Sequence, residues 1–309
     1  MKAIYSIVLV VLLSILFVNE NHAQNQMNVA QYMLHQPFIN PAAAGSYEDL
    51  NAALLVRQQW VGFDGAPKLN AFNVNMPLLK SSVGLSVMHE KIGVHKNTQL
   101  FASYAYRIRM TADRYLSFGL SAGALLIRDD YNSVNANEGN DVAFMLDESK
   151  TRADFQFGLY YFSRRYYIGL AIPSLLNNQI YFDPAERKTK PDYNPKYYHY
   201  YLQGGYEFEL NQDWDLNVSS LLKYLVNNPL DADFNSQVRY RKTYGAGFSY
   251  RTTDEILAFV NVRLNRMFKV GYAYQYSFGF ERKKLNSHEV MLIFSIDQPV
   301  RATIQSPRF

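Results

Sequence analysis

The sequence predicts an all-β fold: a transmembrane, antiparallel, up-and-down β-barrel of about 14 strands. Three observations predict it. From Asn51 onward, apolar and small or polar residues alternate with period two, as in Leu116, Phe118, Leu120 and Ala122 against Ser117, Gly119, Ser121 and Gly123. The alternating segments run for about 9 to 12 residues, the length of a tilted strand crossing a bilayer. The connections between them sort by parity. Even ones are tight: 80–82, 111–114, 164–165, 211–214 and 241–242. Every long one is odd: 63–68, 128–152, 176–197, 227–233 and 280–287. A soluble sandwich also alternates but has no reason to sort its loops this way. A barrel with short periplasmic turns and long external loops does.

The elements follow in order. Residues 1–23 read as a secretory signal, with Lys2 before the apolar run 7–18 and a small residue, Ala23, at the expected cut. That run is too short to span a bilayer as a helix. Residues 24–50 form an N-terminal segment on the periplasmic side. Within it Phe38 and Ile39 precede the turn signal Asn40-Pro41 and then small residues, which predicts an ordered plug or a seal at the periplasmic mouth. The barrel fills 51–297, from a first strand at 51–62 through 153–164 and 166–175 to a last at 288–297. Pro173 falls late in the strand at 166–175, where a missing N–H donor predicts a bulge or an early end. Residues 298–309 are a tail.

Composition agrees with a membrane wall. Charged residues are 19% and aromatics 15%, with 25 Tyr and 20 Phe. Paired aromatics near strand ends, such as Tyr104 with Tyr106, Tyr160 with Tyr161, Tyr166 with Tyr167 and Tyr274 with Tyr276, read as interfacial girdles. The face opposite the lipid row carries both signs of charge, including Asp154, Glu207, Lys223, Arg239, Arg263, Lys269 and Glu289. Selective pores tend to show rings of one sign, so mixed charge predicts ion pairs across the lumen or contacts to a plug.

The chemistry of a catalyst is missing. There is no Cys, which excludes disulfides, thiolate metal sites and a lipid anchor on an N-terminal Cys. No HExxH, G-x-S-x-G, Walker or dinucleotide fingerprint occurs. The adjacent pairs His89-Glu90 and His288-Glu289 point to opposite faces of a strand and cannot share a metal. The acidic stretch 135–148 does not match a calcium loop. The net charge of +4 is scattered, which argues against nucleic acid. The expectation is no enzyme, no cofactor and no metal.

The run Phe38-Ile39-Asn40-Pro41-Ala42-Ala43-Ala44-Gly45 resembles the opening motif of the PorP/SprF family of Bacteroidota outer-membrane proteins. The resemblance continues in Arg57-Gln58-Gln59-Trp60-Val61-Gly62 with Gly65-Ala66-Pro67, in Gly169-Leu170-Ala171-Ile172-Pro173, and in Ser287-His288-Glu289-Val290-Met291-Leu292. These motifs span the mature chain. The resemblance implies a non-enzymatic part of the type IX secretion system in the outer membrane. Its implied partners are outer-membrane lipids, the periplasmic ring, a peptidoglycan-binding partner, and a secreted surface protein with a C-terminal sorting domain, such as a gliding adhesin. The family motifs do not separate core components from adhesin-dedicated members.

Two functions stay open. One is a docking barrel whose external loops hold an exported protein. The first long loop, 128–152, carries three basic against six acidic residues, and 176–197 carries four against three. Tyr131, Phe144, Met145, Tyr181, Phe182 and Tyr193 are candidate aromatic and apolar anchors there. The other is a passive channel for small solutes, for which a barrel of this size has room.

Overall fold

The structure, a computed structural model, describes residues 28–130, 148–176, 181–182, 189–190, 195, 198–226, 228–278 and 285–296. Its strands are β1 (Leu50–Gln58), β2 (Lys68–Leu78), β3 (Ser81–Ile92), β4 (His95–Arg109), β5 (Tyr115–Asp129), β6 (Glu148–Phe162) and β7 (Tyr166–Ile172). There follow β8 (Tyr181–Phe182), β9 (Thr189–Lys190), β10 (Tyr200–Glu209), β11 (Trp214–Tyr224), β12 (Asp231–Tyr240), β13 (Tyr244–Arg251), β14 (Glu255–Arg263), β15 (Phe268–Ser277) and β16 (Leu285–Ile296). All but β8 and β9 form one closed barrel in chain order, with β16 pairing back onto β1. The barrel therefore has 14 strands, and β8 and β9 form a small separate hairpin in the β7–β10 connection.

Every neighbouring pair is antiparallel, from Leu50↔Ile296 through Arg57↔Glu289 at the seam to Gly119↔Gly158 between β5 and β6. Closure leaves no edge, so each strand finds ladder partners on both sides. The alternation is expressed directly. Leu54, Val56, Leu120, Ile168, Val260 and Val290 are exposed on the outer face, while Ala53, Leu55, Ser121, Tyr167, Phe259 and Glu289 are buried inside. Among the described residues no helix is long and apolar enough to cross a membrane.

Short connections gather at one end: 79–80, 110–114, 163–165, 210–213, 241–243 and 264–267. Arg241 and Lys242 both take positive φ (50° and 53°), the geometry of a type I′ hairpin turn, whose twist matches the flanking strands. The longest connections, 59–67, 130–147 and 173–199, lie at the other end. Since β1 starts at the short-turn end, so does the entrance to the barrel wall.

Three expectations need correction. The first strand stops at Gln58, because Trp60 (φ 46°), Gly62 (φ 90°) and Gly65 (φ 75°) turn the chain in left-handed conformations that no strand continues. The strand expected from 153 begins at Glu148, so the long connection before it is shorter than 128–152. Two of the four girdle pairs are split: Tyr160 and Tyr167 are buried inside the barrel, stacked at 5.4 Å, while Tyr161 and Tyr166 face out; Tyr104 with Tyr106 and Tyr274 with Tyr276 lie on the outer face as expected. Consecutive strand residues point to opposite faces, so adjacent tyrosines cannot both sit in a girdle. β7 ends at Ile172, immediately before Pro173. The stretches 1–23 and 298–309 lie outside the described residues.

Candidate functional site: the lumen segment and its cradle

The described part of the chain before β1, residues 28–49, lies inside the barrel. It folds as three short 3-10 turns, Tyr32–Leu34, Gln36–Phe38 and Pro41–Ser46, and nearly all of 29–47 is buried. It begins beside the Arg57/Glu289 register pair, in the half nearer the long loops. It leaves past Arg107 and Ser117, next to the 110–114 turn, and enters β1 at the short-turn mouth. The segment thus runs the length of the lumen.

Its polar groups are satisfied by strands all round the wall. The N–H groups of Ala30 and Gln31 each donate to the Glu289 carboxylate of β16 at 2.7 Å. Arg251 of β13 donates to the Ala30 carbonyl at 3.4 Å. Asn235 of β12 donates to the Tyr32 hydroxyl at 2.7 Å, and His35 is hydrogen-bonded to Asn73 of β2 at 2.7 Å. Tyr160 of β6 donates to Gln36. Arg107 of β4 donates to the Gly45 carbonyl at 3.4 Å and pairs with Glu48 at 3.6 Å. Buried polar groups without partners are costly, so this distribution pins the segment at many heights. Leu257, Phe259, Leu55, Leu69 and Met291, which point inward, join Tyr32, Met33 and Leu34 in one apolar cluster.

The Asn40-Pro41-Ala42 motif rests on bare backbone. A Cβ on Gly119 would lie 2.2 Å from Ala42 N and 2.5 Å from the Pro41 carbonyl carbon. One on Gly158 would lie 2.1 Å from Asn40 Oδ1, and one on Gly169 2.9 Å from Asn40 Nδ2. Gly119 and Gly158 are register partners, and Gly169 pairs with Tyr160 two residues further along β6. Three neighbouring strands therefore leave a gap in the inward side chains, and the motif fills it. Asn40 caps the third turn, its Oδ1 accepting from Ala42 N–H at 2.9 Å. Its amide donates outward to the wall, to Leu159 O at 3.1 Å and Leu170 O at 3.4 Å. Asn40→Ala removes all three bonds in a buried site. It should lower the unfolding free energy by about 2 kcal/mol, read as a lower urea midpoint with an unchanged slope.

Behind the start of the segment lies a buried charge network. Arg57 approaches Glu289 at 3.5 Å and donates to Gln275 at 2.8 Å. Arg251 reaches the same Gln275 at 3.5 Å, Asp233 at 3.5 Å and Glu255 at 3.3 Å. Lys223 closes the series with Asp233 at 3.3 Å and Asp231 at 3.5 Å. The mixed signs on the inward face are thus joined by ion pairs and by contacts to the segment.

The residues singled out in the sequence fall at several different places. Asn40, Pro41, Ala42 and Gly45 are in the lumen segment, and Arg57 and Glu289 meet at its start. Trp60 and Gly62 shape the 59–67 turn, which Trp60 N–H ties to Ser287 Oγ at 3.3 Å and Val61 N–H to Asn286 O at 2.9 Å. Pro173 follows the end of β7. His288 sits on the outer wall, hydrogen-bonded to Tyr272 at 2.7 Å and edge-on to Tyr274. Tyr131, Phe144, Met145 and Tyr193 lie outside the described residues, and Tyr181 and Phe182 are described only as the backbone of β8. Gln31, His35, Gln36 and Gly158 are not among the residues the sequence marks, and Gly119 and Gly169 are marked only by the alternation and a family motif. The clue to the glycines was the inward row of Ser and Gly along β5. Among the described residues no cluster of three or more His, Cys, Asp or Glu is placed to hold a metal ion.

A closed antiparallel barrel with an apolar outer face and a lumen occupied by its own N-terminal segment defines a class: a plugged β-barrel membrane protein. The chain belongs to the PorP/SprF family of type IX secretion system membrane proteins, whose family model matches residues 21–294. Among solved structures it is similar to the Acinetobacter baumannii outer membrane protein Omp33, with 6% identity, 81% of this chain and 99% of that chain covered, and a TM-score of 0.47. It is similar to a Pseudomonas aeruginosa FadL homologue, with 12% identity, 84% and 92% covered, and a TM-score of 0.44. It is also similar to a TodX deletion mutant described as a monoaromatic hydrocarbon channel, with 8% identity, 88% and 95% covered, and a TM-score of 0.48. Comparison with curated proteins gives no match.

Proposed function

We propose that this protein is a docking barrel of the type IX secretion system, which holds an exported surface protein at its long-loop end and meets the secretion machinery at its short-turn end. The observation that carries this is the lumen segment: a wall that spends its inward side chains on gripping its own N-terminus is suited to being a rigid platform rather than a solute path. The grip involves β2, β4, β6, β12, β13 and β16, so it braces the whole circumference. Family membership supplies the secretion context. Short turns facing the periplasm and long loops facing outward complete the orientation. The surface protein is an adhesin or another protein bearing a C-terminal sorting domain, and the machinery side is the periplasmic ring with its peptidoglycan-binding partner.

The test replaces residues 131–147 with a Gly-Ser linker in cells. The barrel should still assemble in the outer membrane while its surface protein is shed into the medium, by fivefold or more in a cell-surface immunoassay. Unchanged retention would sink the docking proposal. A passive channel makes the opposite prediction for the purified wild-type protein, a steady conductance in planar bilayers, where a docking barrel stays closed.

A further inference from the structure

The short-turn mouth carries a concentration of positive charge. Between the wall and the lumen segment lies a cavity of about 330 Å³, lined by six basic side chains: Arg164, Arg239, Lys242, Arg263, Arg266 and Lys269. Its lining contains two acids, Asp49 and Glu207. The excess at this one place is therefore +4, as large as the net charge of the whole chain, +4. Glu207 is already shared between Arg239 at 2.8 Å and Lys242 at 3.8 Å, and Arg239 also holds Asp215 at 3.2 Å.

The cations come from separate elements and converge. Arg164, Lys242 and Arg266 belong to the turns 163–165, 241–243 and 264–267, while Arg239, Arg263 and Lys269 are strand residues close to the same rim. Arg263 and Lys269 are direct register partners across β14 and β15. Both lie on the same inward face as the buried Asn261 and Gly271, so their charges project toward the rim of the lumen.

We infer that this rim is a binding site for an acidic peptide segment of a soluble protein on the short-turn side. The inference deepens the docking proposal and rests on it. The chemistry is salt-bridging of several carboxylates by a curved row of Arg and Lys, with the guanidinium groups able to take carboxylates in pairs. The cavity opens within the rim and not on the apolar outer face, with Leu34 and Tyr47 of the lumen segment forming its inner side. The volume is about ten times the ~30 Å³ share of one water molecule, so it has room for more than one acidic side chain.

The experiment measures binding of a fluorescent hexaglutamate peptide to the full purified barrel in detergent at low salt, by anisotropy. Lys242→Glu with Arg266→Glu reverses two cations on exposed turns, and because Lys242 pairs with Glu207, an unchanged heat-modifiable mobility is required of the variant before binding is read. Lys80→Glu with Arg114→Glu makes the same change of net charge in other turns of the same mouth. Saturable binding should weaken steeply with salt, fall at least tenfold in the first variant and stay within twofold in the second. Three results would overturn the site: no binding at low salt, equal loss in both variants, or displacement of the peptide by millimolar phosphate or by anionic-lipid vesicles. Each leaves the docking proposal untouched, since that is read from retention of the surface protein.

Discussion

Valine in place of Gly119 should expel the lumen segment and turn a closed barrel into a conducting one. The added Cβ would meet Ala42 N at 2.2 Å, Ala42 Cα at 2.5 Å and the Pro41 carbonyl carbon at 2.5 Å. These are backbone atoms of a segment pinned on both sides, so no side-chain rotation relieves the clash. The strand itself gains by the change, because a β-branched residue suits β5 better than glycine does. The two effects oppose each other at different places: the wall holds and the segment leaves. Overpacking of this kind costs about 1–3 kcal/mol when neighbours can give, and more where they cannot. The expected result is a steady current in planar bilayers where the wild type shows none, together with new protease cleavage within 28–49. The barrel band should keep its heat-modifiable mobility. Gly204→Val is the control, since its Cβ would find only the Tyr167 carbonyl at 3.6 Å, an ordinary contact. A folded Gly119→Val barrel that stays closed and protease-resistant would show that the segment does not seal the lumen through this cradle.

The wall was legible in the sequence and the lumen only partly so. Period-two alternation and loop parity depend on local properties, the direction of successive side chains and the reach of a turn, so the 14 strands and their order follow from the chain read residue by residue. The cradle depends on register. Gly119 and Gly158 are 39 positions apart and become one gap only when β5 and β6 pair in the observed register. Arg57 and Glu289 belong to motifs at opposite ends of the chain and meet only because β16 closes on β1. The girdle reading fails at Tyr160 and Tyr167 because aromatic content does not specify which face of the strand each ring takes. Alternation puts Phe259 on the inward face with Asn261, but the lumen segment that makes an apolar ring suitable there is not legible from β14 alone.

Glu289 carries two duties that a pair of variants should separate. Its carboxylate accepts the N–H groups of Ala30 and Gln31, both at 2.7 Å, and it lies 3.5 Å from Arg57, which is 1% exposed. Glu289→Gln keeps the shape but removes the charge, leaving Arg57 buried without its carboxylate. Breaking one side of a buried ion pair costs about 3–5 kcal/mol, whereas replacing both partners together costs far less. The single variant should therefore lose about 3–5 kcal/mol of barrel stability, and Arg57→Met with Glu289→Gln should recover most of it. The second duty does not recover. An amide offers one acceptor oxygen where the carboxylate offered two, and the charge-assisted character of both bonds is gone. Hydrogen exchange at the Ala30 and Gln31 amides should accelerate at least tenfold in both variants alike. Urea unfolding reads the first duty and exchange reads the second. If the double variant were no more stable than the single one, the Arg57 charge would not be the source of the cost. If exchange returned to the wild-type rate with stability, the carboxylate would be holding the wall together and not the segment. With both outcomes as expected, the Arg57 and Glu289 motifs act as one device: the seam strands β1 and β16 meet through an ion pair, and the same carboxylate holds the lumen segment at Ala30 and Gln31.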